Sequence, residues 1–283
     1  MPSATLLGQS VLSGVFVGAL YGLLGLALTL SWGILRQINL AYFALTFLAA
    51  YLCYQLSSTS GIDPLATLII IAPCFFVAGV ALQGLFARFC VSPFNSLLVT
   101  FGLTVIVESI IQSIWTADFR RLESTYGAAK LRVGALYIPA PEVITLALSI
   151  ALAVALYASL RYTDLGKAMR AAAEDGPMAS AFGINRRFIA LIVSGICATL
   201  SAVAGVCLAL SYTLAPAQIY AWIGVVFAAV LLGGIGRPLG PLVAGIVIGV
   251  SEAVTMALTA PSWAPLVSFS LLILLLLVRP DKA

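Results

Sequence analysis

RYTDLGKAMRAAAEDGPMASAFGINRR, residues 161–187, is the longest polar island in a chain that is otherwise close to continuous apolar sequence. It sets Arg161, Lys167, Arg170, Arg186 and Arg187 against Asp164, Glu174 and Asp175. A charge at the bilayer centre costs about 2.5–3.5 kcal/mol on insertion scales, so a segment this charged belongs in water. Its basic excess points to the cytoplasmic side. The alanines at 168, 171–173, 179 and 181 favour helix on either side of a break at Gly176-Pro177. Asp175 or Gly176 suits the cap of the second helix, Pro177 its first turn and Gly183 a left-handed stop. A structured hairpin between membrane spans needs a surface to rest on. It reads as the docking site for something that drives the membrane part, or as an ordinary loop helix.

Apolar runs extend outward in both directions. Of 283 residues, 62% are hydrophobic and 8% charged, against about 25% charged in a soluble protein. Mean hydropathy is +1.14. The runs are long and continuous rather than alternating, which selects helices over a β-barrel. The expected fold is all-α and polytopic, a single membrane domain over residues 1–283 with about eight or nine spans. These run near Gln9–Ser31, Leu40–Leu56, Pro64–Phe86, Asn95–Trp115, Glu142–Leu160, Phe188–Tyr212, Gln218–Leu232, Leu239–Leu258 and Trp263–Val278. With the hairpin inside, alternation puts Arg36, Arg88, Arg237, Arg279 and Lys282 inside as well. Only Arg120, Arg121, Lys130 and Arg132 fall outside, so the N-terminus is expected out and the C-terminus in. Whether Trp32–Asn39 is a cytoplasmic turn or a break within the membrane stays open.

Several classes of chemistry are disfavoured. The chain has no histidine, which removes most catalytic triads and the usual zinc sites. It has no P-loop, and its five cysteines lack C-x-x-C spacing and read as small hydrophobes. No catalytic residue, metal or cofactor is expected. The N-terminal MPSATLLGQS lacks the positive region of a cleavable signal, and a net charge of +4 makes nucleic acid an unexpected partner.

Within the spans, Gly14, Gly18, Gly22 and Gly25 form the small-residue spacing that lets membrane helices approach closely. The glycines and prolines of Leu232–Pro241 cannot continue a helix, and mark either a gate-forming turn or a tight cytoplasmic turn. Gly33-Ile34-Leu35-Arg36 and Gly234-Ile235-Gly236-Arg237 occupy similar settings. Glu108 and Glu252 are the acids well inside spans; each faces a solute pathway or makes a structural hydrogen bond. Asn39 and Gln112 are weaker candidates of the same kind.

Gly166–Asn185, G-K-A-M-R-A-A-A-E-D followed by A-x-x-x-G-I-N, resembles the cytoplasmic coupling loop of ATP-binding-cassette (ABC) importer permeases, most closely the branched-chain amino acid type. Two more stretches agree: G-I-L-R-x-I-N-L-A at Gly33–Ala41, and LGGIGRPLGPLVAGIVIGVSEA at Leu232–Ala253. One departure is Tyr42-Phe43, where the family usually carries His-Gly or a similar small pair. The resemblance implies a multi-pass permease of the bacterial cytoplasmic (inner) membrane that does no chemistry itself. It further implies two cytoplasmic ABC ATPase subunits, a second permease, identical or related, and a periplasmic or extracellular solute-binding protein. The implied coupling residues are Lys167, Arg170, Ala171, Glu174, Asp175, Pro177, Ala179, Phe182, Gly183, Ile184 and Asn185. The pathway candidates are Asn39, Tyr42, Glu108, Gly234, Gly236 and Glu252. Branched-chain or related amino acids are the expected cargo, with urea and short amides not excluded. A secondary transporter or channel working without an ATPase is the alternative, and a membrane enzyme a third.

Overall fold

A computed structural model describes residues 4–89, 93–123, 126, 130–133, 136–259 and 263–278. Every stretch expected to span is helical: α1 (Ala4–Leu30), α2 (Ala41–Ser60), α3 (Leu68–Phe89), α4 (Pro93–Trp115), α5 (Ala140–Tyr162), α8 (Arg186–Ser211), α9 (Ile219–Gly233), α10 (Gly240–Leu258) and α11 (Ala264–Val278). The polar island forms α6 (Asp164–Glu174) and α7 (Gly176–Ala181). Seven of the helical segments are long and apolar enough to cross a membrane. The shorter α11 and the more polar α2 occupy the other two expected spans. Arg279 and Lys282, counted above among the inside charges, lie outside the described residues.

Two helices form the centre. From Leu20 to Leu30 α1 is almost wholly buried, and α8 is buried over most of Val193–Leu210. In lipid no hydrophobic force drives one apolar helix against another, so close packing through small residues must do so. The glycine stripe of α1 supplies it. Gly14, Gly18 and Gly22 lie against Val250, Gly245 and Leu242 of the antiparallel α10, and a Cβ on Gly14 would stand 2.6 Å from the Val250 Cα. On α8, Gly205 abuts the Thr46 carbonyl of α2, while Ser194 packs on Gly79 of α3. Ser194 Oγ also donates to the Gly79 carbonyl at 3.0 Å.

One end of the bundle is closed by elements absent from the sequence reading. A two-stranded antiparallel hairpin, β1 (Lys130–Val133) and β2 (Leu136–Pro139), forms within the loop expected to be merely polar. Its second strand is held by Gln9 of α1, whose side chain donates to the Tyr137 carbonyl at 2.9 Å and accepts from its N–H at 3.0 Å. Arg120 and Leu214 exchange backbone hydrogen bonds nearby. The N-terminal end of α1 therefore lies beside the Asp118–Pro139 loop, opposite the α6–α7 hairpin, as the alternation requires.

At the hairpin end α1 runs four residues beyond the expected Ser31, because Ser31–Leu35 continues as a widened π-helical turn. Arg36 then takes the left-handed conformation (φ 54°, ψ 31°), uncommon outside glycine, and ends the helix. The freed backbone is satisfied locally, as burial demands. Ser31 Oγ donates to the Gln37 carbonyl (3.2 Å), Ala41 N–H to Asn39 Oδ1 (3.0 Å), and Leu40 N–H to Thr100 Oγ1 of α4 (3.2 Å).

Gly18→Ala should therefore lower the thermal midpoint of the detergent-solubilised protein by the equivalent of about 1–3 kcal/mol, since its methyl would meet α10 backbone. Gly102→Ala, which meets nothing within 4 Å, should be neutral or stabilising.

Candidate functional site

The α6–α7 hairpin is capped at each junction. Thr163 Oγ1 accepts from Gly166 N–H (3.0 Å), Asp175 Oδ1 from Met178 N–H (3.0 Å) and Asn185 Oδ1 from Phe188 N–H (3.1 Å). Of the two expected caps for α7, Asp175 is the one used. Gly183 holds the left-handed stop at φ +86°, and Ile184 N–H reaches back to the Ala179 carbonyl at 3.1 Å. These junctions make the hairpin a defined shape rather than a tether.

Its inner side is bound to the bundle. Gly166 sits so close to Ser159 and Leu160 of α5 that no side chain fits there, and Met169 and Ala179 are buried. The Arg186 guanidinium lies over Gly176, whose Cβ would stand 2.6 Å from its central carbon. The Arg36 Nη2 donates to the Ala173 carbonyl at 3.0 Å, occupying an acceptor in the last turn of α6 that has no intrahelical partner. So the reversal of α1 is tied to the hairpin directly.

Its outer side is apolar where it ought to be polar. Phe182 is 79% exposed and Met178 58%, one helical turn apart on a segment too charged for lipid. Lys167, Glu174, Asp175, Pro177 and Gly183 share that exposure, and Lys167 pairs with Asp164 at 2.9 Å. Arg170 and Asn185 are exposed too but have further contacts, and the remaining expected coupling residues lie deeper. Ala179 faces inward, Ala171 and Ile184 are half-buried, Asn185 is engaged as a cap, and Arg170 lines a cavity beside α5. Met178 was not singled out from sequence, although its i,i+4 spacing to Phe182 is legible there.

The 234–240 turn lies at the same end. Gly234 and Gly236 have φ +87° and +77°, and Gly33 packs on Gly236 so tightly that a Cβ on Gly33 would overlap its backbone. The two G-I-containing turns that looked alike in sequence thus touch. Backbone groups of this turn bond one another, Gly234 N–H to the Val230 carbonyl (3.0 Å) and Gly240 N–H to the Arg237 carbonyl (3.0 Å).

The intramembrane polar residues fall into separate places rather than one site. Glu252 is buried; Tyr21 Oη of α1 donates to its Oε2 at 3.0 Å and Ser268 Oγ of α11 to its Oε1. It fastens three helices. Glu108 is half-exposed on α4 and accepts from Tyr220 Oη of α9 (2.6 Å) and Gln112 Nε2 (3.1 Å). Tyr42 is buried between α2 and α8, its hydroxyl 3.3 Å from Ser194 Oγ. Asn39 turns its side chain onto its own chain, at Ala41.

Long apolar helices packed through small residues, with the charged hairpin gathered at one end, make this a polytopic membrane protein in class. The family model described as branched-chain amino acid transport system / permease component matches residues 10–276, and the chain belongs to that family. It is a multi-pass protein of the inner membrane. Among curated proteins it is similar to the high-affinity branched-chain amino acid transport system permease protein LivH of Escherichia coli K12. That match is 27% identical over 96% of this chain and 93% of the relative. It is also similar to BraD of Pseudomonas aeruginosa, 26% identical over 96% and 94%. A probable permease protein LivH of Methanocaldococcus jannaschii is 26% identical over 96% and 91%. No solved structure matches the chain.

Replacing Glu252 by leucine leaves the Tyr21 and Ser268 hydroxyls without their acceptor. It should lower stability by about 1–3 kcal/mol, read as a fall in thermal midpoint, with Glu252→Gln milder. A group serving only a solute pathway would change uptake and leave the midpoint alone.

Proposed function

We propose that this chain, as a single permease domain over residues 1–283, is one membrane-spanning half of an ABC importer. The observation that carries the reading is the exposed Met178–Phe182 pair on a capped helix outside the bilayer. Apolar side chains presented to water on a rigid, otherwise polar segment are the mark of an interaction site. Its partners are two cytoplasmic ATPase subunits, one of which receives α7, a second permease, identical or related, and an external solute-binding protein. The cargo is a branched-chain amino acid or a related small solute, supported by the relatives' names and by the match along nearly the whole chain. ATP hydrolysis belongs to the partners, and the chain itself carries out no covalent chemistry.

The packing supplies a route for the work. A push on α7 moves α6 with it, since Asp175 caps one helix and closes the other. From α6 the displacement passes into α5 through the Gly166–Leu160 contact and into the reversal of α1 through Arg36 and Ala173. Arg186, over Gly176, carries it into α8. The two central helices and α5 therefore receive the stroke together, and α10 follows α1 through the glycine stripe.

Phe182→Asp should weaken ATPase association by about 2 kcal/mol or more, roughly thirtyfold, as loss of an interface anchor does. Co-purification of the ATPase subunits measures it. Phe182 is exposed, so the variant should insert and remain monodisperse. Unchanged co-purification would refute the docking role of this helix.

A further inference from the structure

Beside the hairpin, a cavity of about 1080 Å³ opens between the end of α5, α6 and the 234–240 turn. Arg36, Arg161, Arg170 and Arg237 all line it, against Glu174 as the acid. Among the described residues the ion pair formed is Lys167–Asp164, so no described carboxylate lies within 4 Å of any of these four arginines. Arg36 is satisfied by the Ala173 carbonyl, and Arg161 by the Tyr157 hydroxyl and by lying over the Tyr157 and Tyr162 rings. Neither set of contacts neutralises charge. Four guanidiniums sharing one concavity repel one another and call for an anion, and the guanidinium fork matches phosphate oxygens in particular.

The walls indicate where that anion comes from. On α5, Ile150, Val154, Tyr157 and Arg161 follow one another at helical spacing. The first two are exposed and apolar, and the last two line the cavity. On α10, Val243 lines the cavity and is exposed, as is Val247 one turn further into the span. Exposed apolar side chains on α5 and α10 therefore run from the basic cavity into the hydrocarbon region. A free phosphate or an acidic protein surface would leave these apolar side chains unused, whereas a lipid engages both the arginines and them.

We propose that this cavity binds the phosphate headgroup of an anionic phospholipid of the inner leaflet, with an acyl chain lying between α5 and α10. Basic pockets between helices on the cytoplasmic side are the expected form of such sites. The lipid would join the four segments that meet there: the end of α1 through Arg36, the end of α5 through Arg161, the hairpin through Arg170 and the α9–α10 turn through Arg237. The inference requires the hairpin end to face the cytoplasm, and stands apart from the ATPase reading.

The test is lipid retention by the purified full-length chain in native mass spectrometry, offered phosphatidylglycerol or phosphatidylcholine with the same acyl chains. Phosphatidylglycerol should be retained preferentially, and inorganic phosphate at millimolar concentration should not displace it. Each surface arginine contributes about fivefold to anionic lipid binding, so Arg161→Gln with Arg237→Gln should weaken phosphatidylglycerol about 25-fold. Arg88→Gln with Arg187→Gln, the same charge change away from the cavity, should not. Arg161→Lys with Arg237→Lys, which keeps the charge, should recover part of the loss and guards against misfolding of the glutamine variant. Equal retention of the two lipids, or equal loss in both glutamine pairs, would overturn the proposal. Displacement by phosphate alone would make this a soluble-anion site. Loss of ATPase co-purification with lipid retention unchanged would assign the arginines to the partner protein instead.

Discussion

The contact between Gly33 and Gly236 is the constraint around which the hairpin end is arranged. Two backbones meet there with no room for a side chain on Gly33, so α1 and the α9–α10 turn end against each other. Once they do, α1 cannot continue straight. It widens over Ser31–Leu35 and reverses at Arg36, which accepts a backbone conformation that glycine would hold without strain. The arginine side chain offers a reason for keeping it there: from that position it reaches the Ala173 carbonyl and one wall of the basic cavity.

The same contact decides what can move independently. α1 is fixed to α10 along its glycine stripe and to α5 by Ser149, whose hydroxyl donates to the Ala19 carbonyl at 3.0 Å. Glu252 adds α11 to that group. The second group is built on α8, holding α2 by the Gly205 contact and α3 by Ser194. The hairpin lies between α5, of the first group, and α8, of the second, and is packed on both. The two groups meet where α1 packs on α8, and the hairpin touches both.

Much of this was legible because it is local. Hydropathy located α1–α5 and α8–α11, since length and apolarity are what let a segment cross a bilayer. Asp175, Pro177 and Gly183 announced the limits of α7, because caps and stops act within one turn. The glycines of α1 announced a close helix contact without saying that Gly245 and Gly249 would be the other side. The strand pair at Lys130–Pro139 went unread, being fixed partly by Gln9, more than a hundred residues away. Glu108 and Glu252 looked equivalent in sequence; their partners, Tyr220 on one side and Tyr21 with Ser268 on the other, come from distant helices and make one half-exposed and the other buried. The basic cavity was invisible for the same reason. Arg36, Arg161 and Arg237 belong to three separate elements, the reversal after α1, the end of α5 and the α9–α10 turn, that only the packing of α1 against α10 and α5 brings together.

The most direct test of the account is uptake of radiolabelled leucine into proteoliposomes holding the chain with its partner permease and ATPase subunits, the external solute-binding protein supplied. The expected result is accumulation above the external concentration that depends on ATP and is lost on withdrawing it. Equilibration of leucine down its gradient by the chain alone, indifferent to ATP, would contradict it and establish a channel or secondary carrier.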